Sequence, residues 1–163
     1  MCDHADMEQG NQERALALYG QLLGAWNDQD ADAFGAVFAA DGSAVGFDGS
    51  MMNGRQEIVA TLRGIFEHHR TATYVAKVRE VRELGRDVVL VRAVVGMKPP
   101  GSADLNRAAN AIQSLVVTGD GAAARVALLH NTPAAFHGRP ELVEQLTREL
   151  TDALHSGQVV MAS

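Results

Sequence analysis

The sequence has little cysteine, and that scarcity excludes several kinds of site. Cys2 is the only cysteine among the 163 residues, so an intrachain disulfide is impossible and a metal site built on cysteine thiolates is excluded. A lone thiol is typical of a reducing compartment. The first residues are acidic and polar, which is unlike the basic and then apolar start of a signal peptide. We therefore expect a cytoplasmic protein.

Long apolar runs and an excess of positive charge are missing as well. No segment approaches the ~18 consecutive apolar residues of a membrane-spanning helix, so we expect no membrane partner. Lysine and arginine total 14 against 20 aspartate and glutamate residues, which gives a net charge of -6. Because nucleic-acid affinity depends mainly on cations that neutralise phosphates, we expect no nucleic-acid partner.

Motifs for nucleophilic catalysis or cofactor binding are also scarce. The chain contains no Gly-x-Ser-x-Gly motif and no P-loop. Residues 114–124 form a predicted strand followed by Gly-x-Gly-x-x-Ala, the pattern of a dinucleotide-binding turn. That site needs a helix and a returning parallel strand, whereas the run between Gly121 and Pro133 is strand-like. A β-hairpin is the favoured interpretation, a nucleotide site is the alternative, and we predict no cofactor.

The first half of the chain shows helical periodicity. Leu18, Leu22 and Trp26 repeat at a spacing that places them on one face of a helix. We expect this helix to follow a flexible N-terminus of residues 1–12. Asp30 is placed to cap a second, short helix.

The second half changes to the pattern of strands. Residues 71–84 are rich in β-branched side chains, and residues 87–95 form a nearly continuous apolar run typical of a strand buried on both faces. Because helices come first and strands follow, the segregation favours an α+β fold. We expect a single domain over residues 13–157 and a C-terminal tail of residues 158–163. The further predicted elements are strands over 107–118 and 123–131 and a closing helix over 141–155.

Histidines are the first candidates for a catalytic or metal-binding group. His68 and His69 are adjacent, so on a helix they point about 100° apart and rarely bind one ion, and we predict no metal site. His69 also continues the apolar stripe of Ile58, Leu62 and Ile65 on a third predicted helix. It is either a hydrogen-bonded core residue or a polar group lining an apolar cavity, where an imidazole can exchange a proton near neutral pH.

Arg92 and Asp48 are further polar candidates. Arg92 interrupts the most apolar predicted strand, and a buried cation needs a partner. Three interpretations of Arg92 are open. They are an ion pair with Glu80, Glu83 or a helix carboxylate, a position at an interface, and an anchor for an anionic or carbonyl group of a ligand. Asp41 and Asp48, each followed by glycine, are turn signals. Asp48 is therefore either a turn residue or a group at the rim of a pocket.

Several segments resemble a known family. They are similar to the SnoaL-like proteins of the nuclear transport factor 2-like superfamily, over roughly residues 13–145. The His-Asn-Thr-Pro ending of the last strand, followed by His137-Gly138-Arg139-Pro140-Glu141, most resembles the SgcJ/EcaC family, whose members often accompany enediyne polyketide biosynthesis. The matching segments are AWNDQDADAF at 25–34, FAADG at 38–42, FDG at 47–49, GRQEI at 54–58 and RVALLHNTP at 125–133.

The resemblance implies a cone, in which a strongly curved antiparallel sheet packs against helices and leaves a cavity at its open end. It also implies a homodimer formed through the outer face of the sheet, and a setting in which a polyketide synthase is a candidate partner. Family members include isomerases, cyclases, dehydratases and binding proteins, so the fold does not fix the function. Ala124 departs from the pattern, because the family often has a tryptophan there. No catalytic residue carries over, since the acid–base pairs of the superfamily's enzymes have no matching motif here.

Three hypotheses for function follow. The first is a small pocket protein of enediyne or polyketide biosynthesis that binds a hydrophobic, polyene-like intermediate. If it is an enzyme, it catalyses a cofactor-free cyclisation, isomerisation or dehydration, with His69 as the titrating group. The second is a non-catalytic binding, accessory or self-resistance protein, and the third is a structural dimerisation module. The predicted ligand-pocket residues are Trp26, Phe38, Phe47, Phe66, Tyr74, Arg92, Gln113 and Asn131.

Overall fold

The computed structural model describes residues 4–162 and shows a curved seven-stranded sheet packed against helices. The predicted α+β class and the C-terminal helix are confirmed. The helices are α1 (His4–Asn27), α2 (Ala31–Ala36), α3 (Arg55–His68) and α4 (Pro140–His155). The strands are β1 (Phe38–Val45), β2 (Met51–Asn53), β3 (Thr73–Gly85), β4 (Val88–Lys98), β5 (Ala111–Thr118), β6 (Arg125–Pro133) and β7 (Val160–Ala162).

Helix α1 is longer than its apolar pattern predicts. The prediction of a flexible segment over residues 1–12 is wrong for residues 4–12, which are helical, while residues 1–3 lie outside the described range. Good helix formers stand among these residues, so the helix forms there without an apolar stripe; they are Ala5, Met7, Glu8, Gln9 and Gln12. Asn11 also ties this part of α1 to the turn between β3 and β4, because its Nδ2 donates to Asp87 Oδ1 at 3.3 Å.

The two short helices follow their local signals. Asp30 caps α2 as predicted, since its Oδ1 accepts a hydrogen bond from the Ala33 N–H at 3.0 Å. Ile58 and Leu62 of α3 are buried in the core. Helix α3 ends at His68, however, and the next residue, His69, already has extended backbone. The predicted continuation of the apolar stripe to His69 is therefore wrong.

The turn predicted at Asp41 is an irregularity inside β1. The register of β1 against β6 shifts between Phe38 and Ser43. A Cβ added at Gly42 would lie 2.8 Å from the Val126 carbonyl oxygen, so the backbones can approach this closely only at a glycine. Such a bulge bends its strand, which adds curvature to the sheet.

The sheet runs in the order β2-β1-β6-β5-β4-β3-β7. Neighbouring strands from β3 to β6 pair antiparallel, whereas β1 pairs parallel with β6 and β7 pairs parallel with β3. The glycine-rich segment after β5 leads through a single 3₁₀ turn at Gly121–Ala123 into the antiparallel β6. The hairpin prediction is thus confirmed, and the dinucleotide-binding alternative is wrong because no crossover helix follows the glycines.

Helices cover both faces of the sheet. Helices α1, α2 and α3 pack on the concave face with the main core, and α4 packs on the opposite face, where Leu146 and Leu150 meet Val75 and Val94. The predicted tail beyond residue 157 contains β7, which extends the sheet at the edge of β3. Within residues 4–162, no helix combines the length and the apolar character needed to cross a membrane.

An ion-pair cluster joins α4 to the sheet. Glu149 of α4 accepts two hydrogen bonds from the Arg79 guanidinium, one of them at 2.7 Å to its Oε2, and its Oε1 lies 3.1 Å from Lys77 Nζ. The hydrogen bonds from Arg79, then those from Lys77, lower the pKa of Glu149 from 4.5 to about 2. The side chain is still 27% exposed, so solvent screening limits what the cluster adds to stability.

We predict that this cluster makes stability sensitive to acid. Because the folded pKa of Glu149 is lowered, its contribution is complete above about pH 4.5 and is lost as pH falls towards about 2. In Glu149→Gln, the free energy of unfolding should therefore fall less steeply than in the wild type as the pH is lowered through this range. Chemical denaturation at a series of pH values measures this slope. Glu141→Gln, in the first turn of the same helix, is the matched control, and an equal flattening in both variants would contradict the prediction.

Candidate functional site

The concave face of the sheet and the first three helices enclose a cavity of about 380 Å³, the cone cavity. Its wall is mostly apolar, as in small-molecule pockets generally. The exposed side chains of Phe47 and Met51, on and beside the β1–β2 turn, mark where the cavity opens to solvent. The apolar side chains of the wall belong to Leu22, Leu23, Trp26, Phe34, Ala44, Val45, Phe47, Met51, Met52, Leu62, Ile65, Tyr74, Met97 and Leu129.

A chain of hydrogen bonds forms the polar floor of the cone cavity. The Tyr19 hydroxyl donates to Gln113 Oε1 at 2.6 Å, and Gln113 Nε2 donates to Asn131 Oδ1 at 2.8 Å. Asn131 Nδ2 in turn donates to the Val45 carbonyl oxygen at 3.3 Å. Gln113 and Asn131 both line the cavity, and they lie directly opposite each other on β5 and β6.

The end of this chain fixes the orientation of both amides. The Val45 carbonyl can only accept, so Asn131 must turn its NH₂ group towards it. Asn131 Oδ1 then faces Gln113 Nε2, and Gln113 Oε1 faces the Tyr19 hydroxyl. Each amide nitrogen keeps one further N–H and each amide oxygen keeps one further lone pair, so the floor carries donors as well as acceptors.

Tyr74 adds a hydroxyl to the same wall. Burial raises the pKa of Tyr74 to about 12, so the phenol stays protonated at neutral pH. Burial, and next the proximity of Tyr74, raise the pKa of Tyr19 as well. Tyr74 lines the cone cavity, and its bonds to Asn27 use the backbone N–H and carbonyl of Tyr74. A protonated phenol on this wall is a second hydrogen-bond donor beside the floor amides.

Asn27 positions Tyr74, and the sequence patterns did not single it out. Its Oδ1 accepts from the Tyr74 N–H at 2.7 Å, and its Nδ2 donates to the Tyr74 carbonyl oxygen at 3.1 Å. The last residue of α1 thus acts as a backbone partner for β3. The only sequence signal for Asn27 was its place at the end of a helix, and helix capping would account for an asparagine there equally well.

An aromatic cluster completes the wall beside Tyr74. The Trp26 ring lies 5.3 Å from Phe66 and 5.5 Å from Tyr74, in edge and tilted geometries. The indole Nε1 donates to the Ala72 carbonyl oxygen at 2.9 Å. Because this bond and the ring contacts hold the indole, Trp26 is a fixed part of the cavity wall.

Asp48 is the only charged residue among those lining the cone cavity. It sits in the β1–β2 turn at the opening, where its Oδ1 accepts from the Ser50 N–H at 2.9 Å. The hydrogen bonds from the Ser50 backbone and hydroxyl hold the pKa of Asp48 below its ordinary value. Both interpretations of this residue therefore apply, since it shapes the turn and lies at the rim.

The structure brings together five of the predicted site residues. Trp26, Phe47, Tyr74, Gln113 and Asn131 all line the cone cavity. The remaining four predicted site residues do not line this cavity.

Phe38 and Phe66 lie behind the cavity wall and do not line the cavity. Phe38 is fully buried against Phe34, with ring centroids 5.6 Å apart, and Phe66 packs on Trp26 from outside the cavity. Their placement in the pocket is corrected accordingly. They support the aromatic wall, because each touches a ring that does line the cavity.

His69 and Arg92 lie outside the cone cavity, and their predicted places in it are wrong. His69 is exposed just beyond α3. Arg92 is exposed on the convex face of the sheet, opposite Glu80 of β3 and Ser114 of β5. Successive side chains of a strand point to opposite faces of the sheet. Gln113 lies on the concave face, so Ser114 lies on the convex face, together with Arg92, its partner on β4. Within residues 4–162, no three histidine, cysteine, aspartate or glutamate side chains are grouped to hold a metal ion.

Comparison with known proteins relates this geometry to a family and a fold. A sequence profile described as a SnoaL-like domain matches residues 15–119, more than half of the chain. Comparison with curated proteins finds no match.

Solved structures share the architecture. A domain of unknown function with a cystatin-like fold from Nostoc punctiforme PCC 73102 has a TM-score of 0.72 and 23% identity, over 89% of this chain and 95% of that chain. An NTF-2 like protein of unknown function from Shewanella oneidensis MR-1 has a TM-score of 0.56 and 17% identity, over 72% of this chain and 94% of that chain. ActVI-ORFA from Streptomyces coelicolor has a TM-score of 0.59 and 14% identity, over 73% of this chain and 94% of that chain. At these identities the likeness shows the fold alone, and it confirms the nuclear transport factor 2-like architecture.

We predict that the polar floor is a cooperative unit. Gln113→Leu leaves the Tyr19 hydroxyl and the Asn131 oxygen without their partner, which should cost roughly 2–4 kcal/mol of unfolding free energy. Tyr19→Phe should cost about 1–2 kcal/mol, because it removes one bond and leaves one acceptor, Gln113 Oε1, without its partner. In a double-mutant cycle measured by urea denaturation, the combined variant should lose less than the sum of the two. Additive losses would show that the three side chains act independently.

Proposed function

Since the chain belongs to the SnoaL-like domain family, we propose that it binds a hydrophobic small molecule in the cone cavity. The observation that supports this proposal is an apolar space of about 380 Å³ with a few convergent donors on its floor. Ligand pockets combine these two features, because apolar area provides affinity and a few polar groups fix orientation.

The charges around the cavity indicate what the ligand carries. Among residues 4–162, no lysine, arginine or histidine lines the cone cavity, so an acidic ligand would find no counter-ion there, and Asp48 would repel it at the rim. The free N–H groups of the floor amides and the Tyr74 hydroxyl are hydrogen-bond donors. The proposed ligand is therefore neutral, with a carbonyl or ether oxygen that reaches this floor.

The proposed chemical class is a polyene-like intermediate of enediyne or polyketide biosynthesis. This part of the proposal rests on the resemblance of the last strand and of residues 137–141 to the SgcJ/EcaC family. A long apolar wall that ends in donors suits a conjugated hydrocarbon with an oxygen at one end. A polyketide synthase is the proposed source of such a molecule.

A cofactor-free isomerisation or cyclisation is the second candidate, and the position of Asp48 favours it. The reaction would need a general base near a carbonyl that the floor donors polarise. Among residues 4–162, Asp48 is the one carboxylate on the cavity wall, and it is ionised at neutral pH as an aspartate ordinarily is. Its lowered pKa makes it a weaker base than an ordinary aspartate, so its position, and not its basicity, supports this role. His69 is no longer part of this proposal, since it lies outside the cavity.

We predict that a conjugated polyene ketone quenches the fluorescence of Trp26, the only tryptophan, with a saturable titration. Thr61 is an exposed α3 residue on the cavity wall, so Thr61→Phe should weaken binding by roughly tenfold through added bulk. Ala60→Phe changes the neighbouring exposed position, which does not line the cavity, and should leave binding unchanged. Equal affinities of the two variants would place the ligand outside the cone cavity.

Mass spectrometry of the same mixture separates the two candidate functions. Binding without a new product supports a binding protein. A new product whose formation stops in Asp48→Asn, while binding persists, supports the catalytic role of Asp48. A product formed at the wild-type rate by that variant would contradict it.

We also propose that two copies associate through the convex face of the sheet. Leu90, Val116 and Leu128 lie side by side there in register, and none of them belongs to the cluster packed under α4. Val116 and Leu128 are half-buried, whereas Leu90 is already buried within the chain. Exposed Arg92 and His130 flank this row and supply a polar rim. An apolar strip inside a polar rim is the usual composition of a protein interface.

We predict that Val116→Asp shifts the protein towards the monomer in analytical ultracentrifugation, because it places an unpaired charge at the centre of this face. Ala60→Asp on α3, on the other side of the molecule, is the matched control and should leave the sedimentation coefficient unchanged. If the wild-type protein sediments as a monomer, the proposed interface is wrong.

A further inference from the structure

A second concavity, larger than the cone cavity, lies between α1, α2 and the start of β6. This α1–α2 groove holds about 600 Å³. Its wall on α1 is formed by Arg14, Leu18, Gln21, Ala25 and Asp28, whose spacing of three and four residues defines a single helix face. At 1.5 Å per residue this stripe is about 20 Å long. The groove is thus elongated and separate from the residues that line the cone cavity.

One end of the groove carries two arginines that have no acidic partner. Arg14 Nε is buried, and no acceptor lies within hydrogen-bond distance of it among residues 4–162. Arg125 donates from Nη1 to the carbonyl oxygens of Ala122 and Ala124, at 2.9 and 2.7 Å, which holds its guanidinium against the groove wall. In that part of the chain, no salt bridge joins either guanidinium to a carboxylate.

A buried, unpaired donor on a cation is unfavourable and therefore calls for an explanation. The sequence offers 20 acidic residues and a net charge of -6, yet none of the described acids pairs with these arginines. Guanidinium groups match carboxylates and phosphates through paired N–H donors. Arg14 Nε itself is closed to solvent, so an oxyanion from outside the chain would meet the outer N–H groups of the Arg14 and Arg125 guanidiniums at this end of the groove.

The middle of the groove suits an apolar body. Leu18, Ala25, Ala33 and Val37 line it, and these side chains are short or buried. Gly24 faces open space, because a Cβ added there meets no atom within 4 Å. The far end is acidic, and Asp28 there would repel a second anionic group.

We propose that the α1–α2 groove is a second binding site, which takes an elongated molecule with a carboxylate or phosphate at one end and an apolar chain behind it. The guanidinium groups of Arg14 and Arg125 hold the oxyanion, and the chain lies along the small residues of α1 and α2. This ligand differs in charge from the neutral one proposed for the cone cavity, so the two sites select different molecules.

Calorimetric titration with inorganic phosphate and with n-hexyl phosphate tests the proposal. Hexyl phosphate should bind more tightly, since it adds apolar contact to the same oxyanion. Arg14→Gln should weaken both by about tenfold or more, because charge-assisted hydrogen bonds are lost. Gly24→Leu fills the open groove with a better helix former, so it should remove the advantage of the hexyl chain and leave phosphate binding as it was.

Arg63→Gln is the matched control, because Arg63 is exposed and already pairs with Asp32. It should leave both affinities unchanged. Arg14→Lys keeps the charge without the planar guanidinium fork, and its intermediate affinity would confirm that the fork matters even if Arg14→Gln folds poorly. Absence of saturable binding of either phosphate, an equal loss in Arg63→Gln, or a hexyl advantage that survives Gly24→Leu would each overturn the proposal. None of these results depends on whether the cone cavity binds its own ligand.

Discussion

One chain of buried hydrogen bonds, from Tyr19 through Gln113 and Asn131 to the Val45 carbonyl, connects α1 to three strands of the sheet. A buried polar group without a partner is costly, so these side chains must stay aligned for the fold to be stable. The alignment leaves polar N–H groups on the floor of an otherwise apolar space. Stability and recognition therefore depend on the same atoms, and a ligand that uses this floor meets a rigid surface.

Helix α1 serves both of the concavities described above. One face places Leu22, Leu23 and Trp26 in the cone cavity, and another face places Arg14 and Asp28 in the α1–α2 groove. Asn27 then ties the end of the helix to the backbone of β3. A shift of α1 along its axis would alter both concavities together, because the helix is their common wall.

Local signals predicted much of this architecture and only part of the site. Asp30 at the start of α2 and the glycines between β5 and β6 acted through neighbouring backbone, so their roles could be predicted from the sequence. His69 could not be placed, because the apolar spacing of α3 does not show where the helix stops. Arg92 was misplaced for a related reason, since β4 is apolar on both faces and its sequence does not show which face is concave.

Periodicity and capping act over a few residues, so the α+β class, the order of the main elements, and the aromatic and amide residues available for a pocket were predictable from the amino-acid sequence. Which of those residues meet depends on the tertiary structure. Gln113 and Asn131 lie 18 residues apart, and Tyr19 and Gln113 lie 94 apart. Strand register, the bulge at Gly42 and the length of α3 bring them together or keep His69 away. These features depend on how distant backbones fit against each other, which local sequence patterns do not encode.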